Sequence, residues 1–357
     1  MKRPAPIFAL IVAVVIGGCD SGAGSPAARA SVTSAAAAAA PPATPAAPPP
    51  VDLTLAFAGD VHFMDRTATL LRDPASAFGP IAGVLSAADL TVVNLETAIT
   101  TRGTPEPKTY HFRTNPKALD ALRTAGIDGV SLANNHTLDY GQVGLADTLD
   151  AVKTAGFPTF GAGRNAAEAY APWITTVRGV RIAVLGYSQI HELASTWAAK
   201  DNRAGIAMAS ELPRVTAAVA DARRESDLVV VFNHWGTEGV GCPNAEQKAF
   251  AAKLAEAGAD IVIGAHAHTL QGDGWLGRTY VAYGLGNFLW YGTSRSTDTG
   301  VLRLTVRDRV VVKNEFLPAV VSATGQPTPL TGQAAARAVQ RQAALRPCTA
   351  LSEAPSS

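Results

Sequence analysis

Short apolar runs alternate with helical patterns through most of the chain, and this alternation restricts the folds that the chain can adopt. Six runs have the length and composition of buried strands, at residues 53–58, 90–93, 129–132, 228–232, 261–263 and 280–283. Helical patterns lie between them, at residues 116–124, 143–154, 212–225 and 245–257. This order is typical of the α/β class, in which helices cover a β-sheet.

Four further runs extend the prediction beyond a single sheet. They lie at residues 174–177, 181–185, 301–306 and 310–316, and the last two suggest a hairpin around Asp308. Hydrophobic residues make up 47% of the 357 residues and charged residues 17%, which is enough apolar material for one large core. The formal net charge of +1 creates no overall field toward nucleic acid, so we expect no nucleic-acid partner.

The first residues predict the compartment. A positively charged start precedes an apolar run at residues 7–16, which is too short to span a bilayer comfortably, and Gly17-Gly18-Cys19 follows. This pattern resembles a bacterial lipoprotein signal peptide over residues 1–18. The resemblance implies lipidation of Cys19 and a lipid-anchored location on the outer face of the bacterial cytoplasmic membrane. The alternative is an ordinary cleaved signal peptide with an incidental cysteine.

Composition divides the rest of the chain into three parts. Residues 19–50 are almost entirely Ala, Pro, Ser, Gly and Thr, which bury too little apolar surface to fold, so we expect a disordered tether. A folded domain is predicted over residues 51–323, followed by a weakly helical or disordered tail at residues 324–357. Outside the cytoplasm Cys242 and Cys348 could form a disulfide, but the sequence leaves open whether they meet.

Each of five predicted strands is followed by polar residues that are able to bind metal. Because the carboxyl ends of strands in an open α/β sheet meet at one edge, we expect these side chains to converge there. One such cluster alone would favour an ordinary core or surface role, but five of the seven histidines recur in this position. The residues are Asp60 and His62, then Glu96, then Asn135 and His136, then His234, then His266 and His268.

The residue types and their spacing fit a site for divalent ions. Asp60 and His62 are two residues apart on extended backbone, so their side chains point the same way and can hold one ion. His266 and His268 have the same spacing, and they either share one metal or divide between two. The two oxygens of Glu96 suit a bridge between ions. Mixed nitrogen and oxygen ligands without cysteine fit manganese, iron or catalytic zinc.

The motifs that carry these residues resemble those of the calcineurin-like metallophosphoesterase superfamily. Within it they resemble the CapA family of capsule synthesis, which is associated with poly-γ-glutamate, because of the Asn-Leu-Glu, Ala-Asn-Asn-His, His-Trp-Gly-x-Glu and Gly-x-Gly-Asn-Phe segments. The resemblance covers residues 53–289. The motifs are Gly59-Asp60-Val61-His62, Asn94-Leu95-Glu96, Asn134-Asn135-His136, Asn233-His234-Trp235-Gly236, Gly264-Ala265-His266-Ala267-His268 and the segment ending at Asn287-Phe288.

The resemblance implies a fold and a ligand set. The fold would be a four-layer αββα sandwich of the α/β class, with the site on loops at the carboxyl ends of the strands. Glu96 would bridge two divalent ions, and His136 would act as general acid for the leaving group. Glu96 departs from the superfamily, in which the common bridging residue is Asp, and its extra methylene changes the reach. Asp60, His62 and His268 would hold one ion, and Asn135, His234 and His266 the other.

Three further residues are candidates for supporting roles. Arg113 either clamps a phosphate or carboxylate of the substrate or forms a surface salt bridge. Glu238 either orients a metal-binding histidine through the second ring nitrogen or is a solvated charge. Asn287 either caps a loop backbone or contacts the substrate.

The predicted site favours a metal-dependent hydrolase that acts on a phosphoester or on a linkage in an anionic envelope polymer. Two ions about 3.5 to 4 Å apart would lower the pKa of bound water and stabilise the entering and leaving oxygens. The family resemblance offers an alternative, a factor that assembles, retains or exports poly-γ-glutamate without hydrolysis, beside the polyglutamate synthesis machinery. A purely structural metal site is a third alternative, which the open loop arrangement disfavours.

Overall fold

A computed structural model describes residues 52–292 and 296–356. The predicted signal peptide, Cys19 and the predicted tether lie outside the described residues. Within the described ranges, no helix is both long enough and apolar enough to cross a bilayer.

The helices and strands predicted above are present, with ends that differ by a few residues. The strands in chain order are β1 (Leu53–Val61), β2 (Leu90–Leu95), β3 (Ala98–Ile99), β4 (Arg113–Thr114), β5 (Gly129–Ser131), β6 (Thr159–Phe160), β7 (Ala162–Gly163), β8 (Trp173–Val177), β9 (Val180–Ser188), β10 (Gly205–Ile206), β11 (Leu228–Trp235), β12 (Ile261–His266), β13 (Asp273–Leu276), β14 (Thr279–Ala282), β15 (Asn287–Leu289), β16 (Asp298–Arg307), β17 (Val310–Val321) and β18 (Pro327–Pro329). The α-helices are α1 (Ala82–Leu85), α2 (Lys117–Thr124), α3 (Gly141–Ala155), α4 (Ala166–Tyr170), α5 (Ala194–Trp197), α6 (Leu212–Glu225), α7 (Ala245–Ala257) and α8 (Gly332–Ala343).

Most strands belong to two mixed sheets. The first sheet has the order β18-β17-β16-β1-β2-β5-β6, and β15 also pairs with β1. The second has the order β13-β14-β12-β11-β9-β8. Strands β1, β2, β5 and β6 run parallel, as do β9, β11, β12 and β14, whereas the hairpin of β16 and β17 is antiparallel. The hairpin around Asp308 is therefore confirmed.

Alternation along the strands explains how the two sheets pack. Leu55 and Phe57 of β1 share one buried cluster with Val230 of β11 and Ile263 of β12, so these side chains fill the space between the sheets. Their sequence neighbours point outward, because successive side chains on a strand face opposite sides. Helices α2 and α3 cover the outer face of the first sheet, and α6 and α7 cover that of the second. The predicted four-layer αββα sandwich is confirmed.

The strands that carry the polar clusters divide between the two sheets. Strands β1, β2 and β5 belong to the first sheet and β11 and β12 to the second, and β1 lies against β12. The carboxyl ends of all five therefore meet at one end of the sandwich rather than at the edge of one sheet.

The C-terminal segment is more ordered than we predicted. The expected boundary at residue 323 separates β17 from β18, which pair in the first sheet. Helix α8 packs beside β17, and Gln342 Nε2 donates a hydrogen bond to Asp273 Oδ1 at 3.0 Å. Ser352 pairs with Trp275 through the backbone. The described part of this segment is thus integral to the domain rather than a loose tail.

A disulfide joins Cys242 to Cys348, with a Cα–Cα distance of 5.7 Å and a sequence separation of 106 residues. It links the loop after β11 to the segment after α8. The bridge that the sequence left open is therefore formed.

We expect the double variant Cys242→Ser/Cys348→Ser to unfold more readily than the wild type. Closing a loop of roughly 100 residues lowers the conformational entropy of the unfolded chain. In the chain-entropy model this raises the free energy of unfolding by up to about 4.7 kcal/mol. Urea unfolding with and without reductant measures the difference in the free energy of unfolding. Reductant should destabilise the wild type and leave the double variant unaltered, and a wild type whose midpoint survives full reduction would contradict this expectation.

Candidate metal centre

Five loops and strand ends carry the candidate ligands to one place. Asp60 lies near the end of β1, Glu96 follows β2, and Asn135 lies in the loop after β5. His234 lies in β11 and His266 ends β12. All five are buried. The fold thus brings carboxylate, amide and imidazole groups from two sheets together.

A close backbone approach holds Asp60 in place. The Asp60 amide donates a hydrogen bond to the Gly286 carbonyl at 3.0 Å. A Cβ at position 59 would lie 1.8 Å from the same carbonyl oxygen, so only glycine fits before Asp60. This explains the glycine in the first motif.

Among residues 52–292 and 296–356, three groups of His, Asp and Glu side chains have ligand atoms within 4.8 Å of one another. Glu96 belongs to two of these groups, so one carboxylate lies between two sets of candidate ligands. The groups are Asp60, Glu96 and His268, then Glu96, His234 and His266, then Glu238, His266 and His268.

Unsatisfied polar atoms show that this cluster fits a cation. Both carboxylate oxygens of Glu96 are buried without a hydrogen-bond partner, and so is Nε2 of His62. An unpaired carboxylate in a protein interior costs several kcal/mol unless a positive charge balances it. Glu96 Oε1 lies 3.4 Å from His234 Nε2. The donor set of carboxylate oxygens and imidazole nitrogens suits a divalent ion.

Burial controls the charges of the cluster. It raises the pKa of Glu96 well above its usual value, and the neighbouring Asp60 raises it further. Burial lowers the pKa of His234 to about 3, so its imidazole is neutral and has a lone pair available. His268 differs, because contact with Asp60 and the charge of Glu96 outweigh burial and raise its pKa to about 9. A proton on His268 therefore supplies positive charge next to Asp60 and Glu96, as a bound cation would.

Two asparagines hold the cluster together, and our sequence reasoning gave them no role. Asn94 Nδ2 lies 2.8 Å from Asp60 Oδ1 and 3.2 Å from His234 Nδ1. Asn134 Nδ2 donates to Asn94 Oδ1 at 3.0 Å. Both residues stand in the motifs quoted above, next to candidate ligands. Asn135, which was predicted as a metal ligand, has its Oδ1 2.7 Å from His234 Nε2.

His136 has an anionic partner that the sequence did not reveal. Its Nδ1 lies 2.6 Å from Asp139 Oδ2, and its Nε2 lies 3.8 Å from Glu96 Oε1. Lys108 Nζ is 2.9 Å from Asp139 Oδ1, although its side chain is only 2% exposed, and it also donates to the Asn135 carbonyl. In the sequence, the spacing of three residues between His136 and Asp139 was the only indication of this contact.

These surroundings bear on the general-acid prediction. Burial lowers the pKa of His136 well below its usual value, and the charge of Lys108 adds to this. Burial raises the pKa of Asp139 to about 6, against the opposing charge of Lys108. His136 is therefore neutral near pH 7, with Nδ1–H donated to Asp139. A general acid requires a protonated imidazole, which this environment does not favour by itself.

An aromatic wall encloses His62 and His136. Phe112 stacks on His136 with ring centroids 3.9 Å apart and on His62 at 4.6 Å. Its backbone amide donates to Asp139 Oδ2 at 2.5 Å. Trp290 contacts the edge of His62 at 4.3 Å. His62 belongs to none of the three groups, and it lies beside them with its Nδ1 bonded to the Met64 amide.

The three candidates for supporting roles make different contacts in the structure. The Arg113 guanidinium lies over the Tyr140 ring, 4.5 Å from its centroid. Asn287 Oδ1 is 2.8 Å from His268 Nδ1, so Asn287 orients that histidine. Glu238 Oε1 is 3.9 Å from His268 Nε2, and its side chain is 61% exposed.

Solved structures of similar shape were found at low similarity. One is a novel phosphatase from Mycoplasma pneumoniae, with a TM-score of 0.49 and 14% identity over 76% of this chain and 94% of that chain. Another is a putative 5'-nucleotidase from Staphylococcus aureus, with a TM-score of 0.47 and 16% identity over 82% of this chain and 58% of that chain.

The chain is 32% identical to the capsule biosynthesis protein CapA of Bacillus anthracis over 66% of its own length and 57% of that protein. It is 29% identical to the PGA biosynthesis protein CapA of Bacillus subtilis over 74% of its length and 71% of that protein. It is 32% identical to a probable polyglutamine synthesis accessory protein of Mycobacterium tuberculosis over 51% of its length and 50% of that protein.

The match to a family model covers the strands and loops described above. The model of the bacterial capsule synthesis protein PGA_cap matches residues 54–291, from β1 through the loop after β15. This range includes all the candidate metal ligands and confirms the resemblance noted from the motifs. The chain therefore belongs to the bacterial capsule synthesis protein PGA_cap family.

Proposed function

We propose that this chain is a lipid-anchored protein of the bacterial cell envelope that uses two divalent metal ions to hydrolyse a phosphoester or a linkage in an envelope polymer during capsule or poly-γ-glutamate synthesis. The observation that carries the proposal is the carboxylate of Glu96, which is buried, lacks a hydrogen-bond partner and lies within reach of candidate ligands from both sheets. A cation pair balances that charge.

The proposed ligands follow the grouping in the structure. Glu96 would contribute to both ion positions, Asp60 and His268 would hold the first ion, and His234 and His266 would hold the second, which follows the two groups that share Glu96. Asn135 would hold the second ion through the oxygen that lies beside His234. His62 would hold the first ion through its buried and unpartnered Nε2.

Bound divalent ions would supply Lewis acidity and acidify a bound water. The protein's own groups handle protons and exclude solvent. Asp139 holds Nδ1–H of His136, which leaves Nε2 facing Glu96 to accept a proton and then deliver it to a leaving group. Phe112 covers one face of the imidazole and keeps bulk water from it.

The proposed location rests on Cys19 and on the disulfide. Disulfides persist mainly in oxidising compartments such as the bacterial cell envelope. The bridge between Cys242 and Cys348 therefore supports an extracytoplasmic domain.

A second candidate function is non-hydrolytic assembly, retention or export of poly-γ-glutamate, beside its synthesis machinery. The relatives named as PGA biosynthesis and polyglutamine synthesis accessory proteins favour it.

We expect Asp60→Ala and His234→Ala to lose bound metal, because each removes a ligand from a buried group. Elemental analysis of the purified full-length chain should find manganese, iron or zinc in the wild type and less than half as much in the variants. Asp65→Asn is the control, because Asp65 is exposed and belongs to none of the ligand groups. A wild type without stoichiometric metal would remove the basis of the proposal.

We expect His136→Asn to keep its metal and to lose hydrolytic rate by about two to four orders of magnitude, which is the usual range for a positioned acid or base. The measurements are kcat in a phosphoesterase screen and metal content. His191→Asn is the matched control, since His191 is exposed and belongs to no described ligand group. An unchanged kcat in His136→Asn would exclude a role in proton transfer.

Titration with polyglutamate separates the two candidate functions. The hydrolytic proposal predicts that the polymer is shortened, or that phosphate is released from a separate phosphoester substrate, only with metal present. Polymer handling predicts saturable binding with no change in polymer length. The absence of saturable binding, with metal present and after chelation, would eliminate the second candidate.

A further inference from the structure

We infer that Glu238 is an additional metal ligand, an exposed carboxylate that closes the solvent side of the centre and that an anionic substrate group displaces. The inference rests on the metal centre of the proposed function and deepens it. It assigns a specific role to a residue for which the sequence allowed either an orienting role or a solvated charge.

Distances place Glu238 within ligand range. Its carboxylate and the ring nitrogens of His266 and His268 lie within 4.8 Å of one another, and Oε1 is 3.9 Å from His268 Nε2. Ligands bound to one ion at about 2.0 to 2.2 Å lie about 3 to 4 Å apart. The carboxylate can therefore bind an ion held by either histidine.

Glu238 is linked to both halves of the proposed centre. His266 belongs to the buried group with His234, and His268 belongs to the buried group with Asp60. Glu238 groups with one histidine from each. Its carboxylate thus adjoins both proposed ion positions.

Backbone contacts hold Glu238 in this place. The amide of Gly239 donates to the carbonyl of Ala267 at 2.7 Å, and Ala267 lies between His266 and His268. The loop after β11 is therefore attached to the turn that carries both histidines. A charge fixed next to two candidate ligands in this way differs from a solvated side chain on a free surface.

Exposure distinguishes the two carboxylates of the centre. Glu96 is fully buried, whereas the side chain of Glu238 is 61% exposed. An anion arriving from solvent meets Glu238 before it meets Glu96. Because like charges repel, an incoming phosphate or carboxylate must displace Glu238 to reach the ions.

Asp65 offers a matched control for the charge. Asp65 and Glu238 both act on Tyr291, because burial raises the pKa of its phenol and the charges of Tyr110, Asp65, Glu96 and Glu238 add to the rise. The Tyr291 ring lies 4.7 Å from the His62 ring, beside the candidate ligands. Asp65 is exposed and has a φ of 46°, a conformation that asparagine adopts readily. Asp65→Asn therefore removes one charge that acts on Tyr291 without removing a candidate ligand.

The test is a titration of the metal-free full-length chain with MnCl2. Calorimetry and the electron paramagnetic resonance signal of free Mn²⁺ measure the binding. Glu238→Gln should bind Mn²⁺ at least tenfold more weakly than the wild type. Glu238→Ala should show the same loss, and Asp65→Asn should keep the wild-type affinity. At saturating Mn²⁺, inorganic phosphate should bind Glu238→Gln about threefold or more tightly than the wild type.

The outcomes separate the two proposals. If the wild type binds Mn²⁺ and Glu238→Gln binds it equally well, Glu238 is not a ligand and the metal centre stands without it. An equal loss in Glu238→Gln and Asp65→Asn overturns the inference as well, because it shows a general effect of charge. Phosphate binding that is unchanged or weaker in Glu238→Gln overturns the displacement. A wild type that binds no Mn²⁺ overturns both the inference and the proposed function.

Discussion

The carboxylate of Glu96 lies where two sheets meet, fully buried and without a hydrogen-bond donor. Burial and the neighbouring carboxylate of Asp60 raise the pKa of Glu96, because a second negative charge is unfavourable in a region of low dielectric constant. Neutral amides of Asn94 and Asn134 position these groups but do not balance the charge. Ionisation of both carboxylates is unfavourable without a cation, and the proposed metal centre rests on this.

Much of the fold could be predicted because short continuous apolar runs mark strands that are buried on both faces. In β1 every second side chain enters the space between the sheets, and in β11 the pattern repeats. The convergence of the candidate ligands could also be predicted, because each follows a strand and the carboxyl ends of parallel strands lie at the same edge of a sheet. The apolar runs by themselves did not show how these strands divide between the two sheets, since strands buried on both faces have the same pattern whichever partner they have.

Residues whose roles depend on distant contacts could not be predicted. Lys108 stands in a polar loop and reads as a surface charge, yet it is buried against Asp139. Asp139 acquires its role only through contact with His136 and Phe112. The segment after residue 323 has weak periodicity, and its order comes from β18 pairing and from the disulfide. Each of these depends on tertiary contacts that local patterns do not encode.

The bridge between Cys242 and Cys348 also restrains the loop beside the candidate ligands. Cys242 lies four residues beyond Glu238 in the same loop, so the bond fixes one end of the segment that carries this carboxylate. Without the bond that loop would keep its contact with Ala267 but lose its covalent attachment. Reduction of the two cysteines would therefore give the Glu238 loop more conformational freedom.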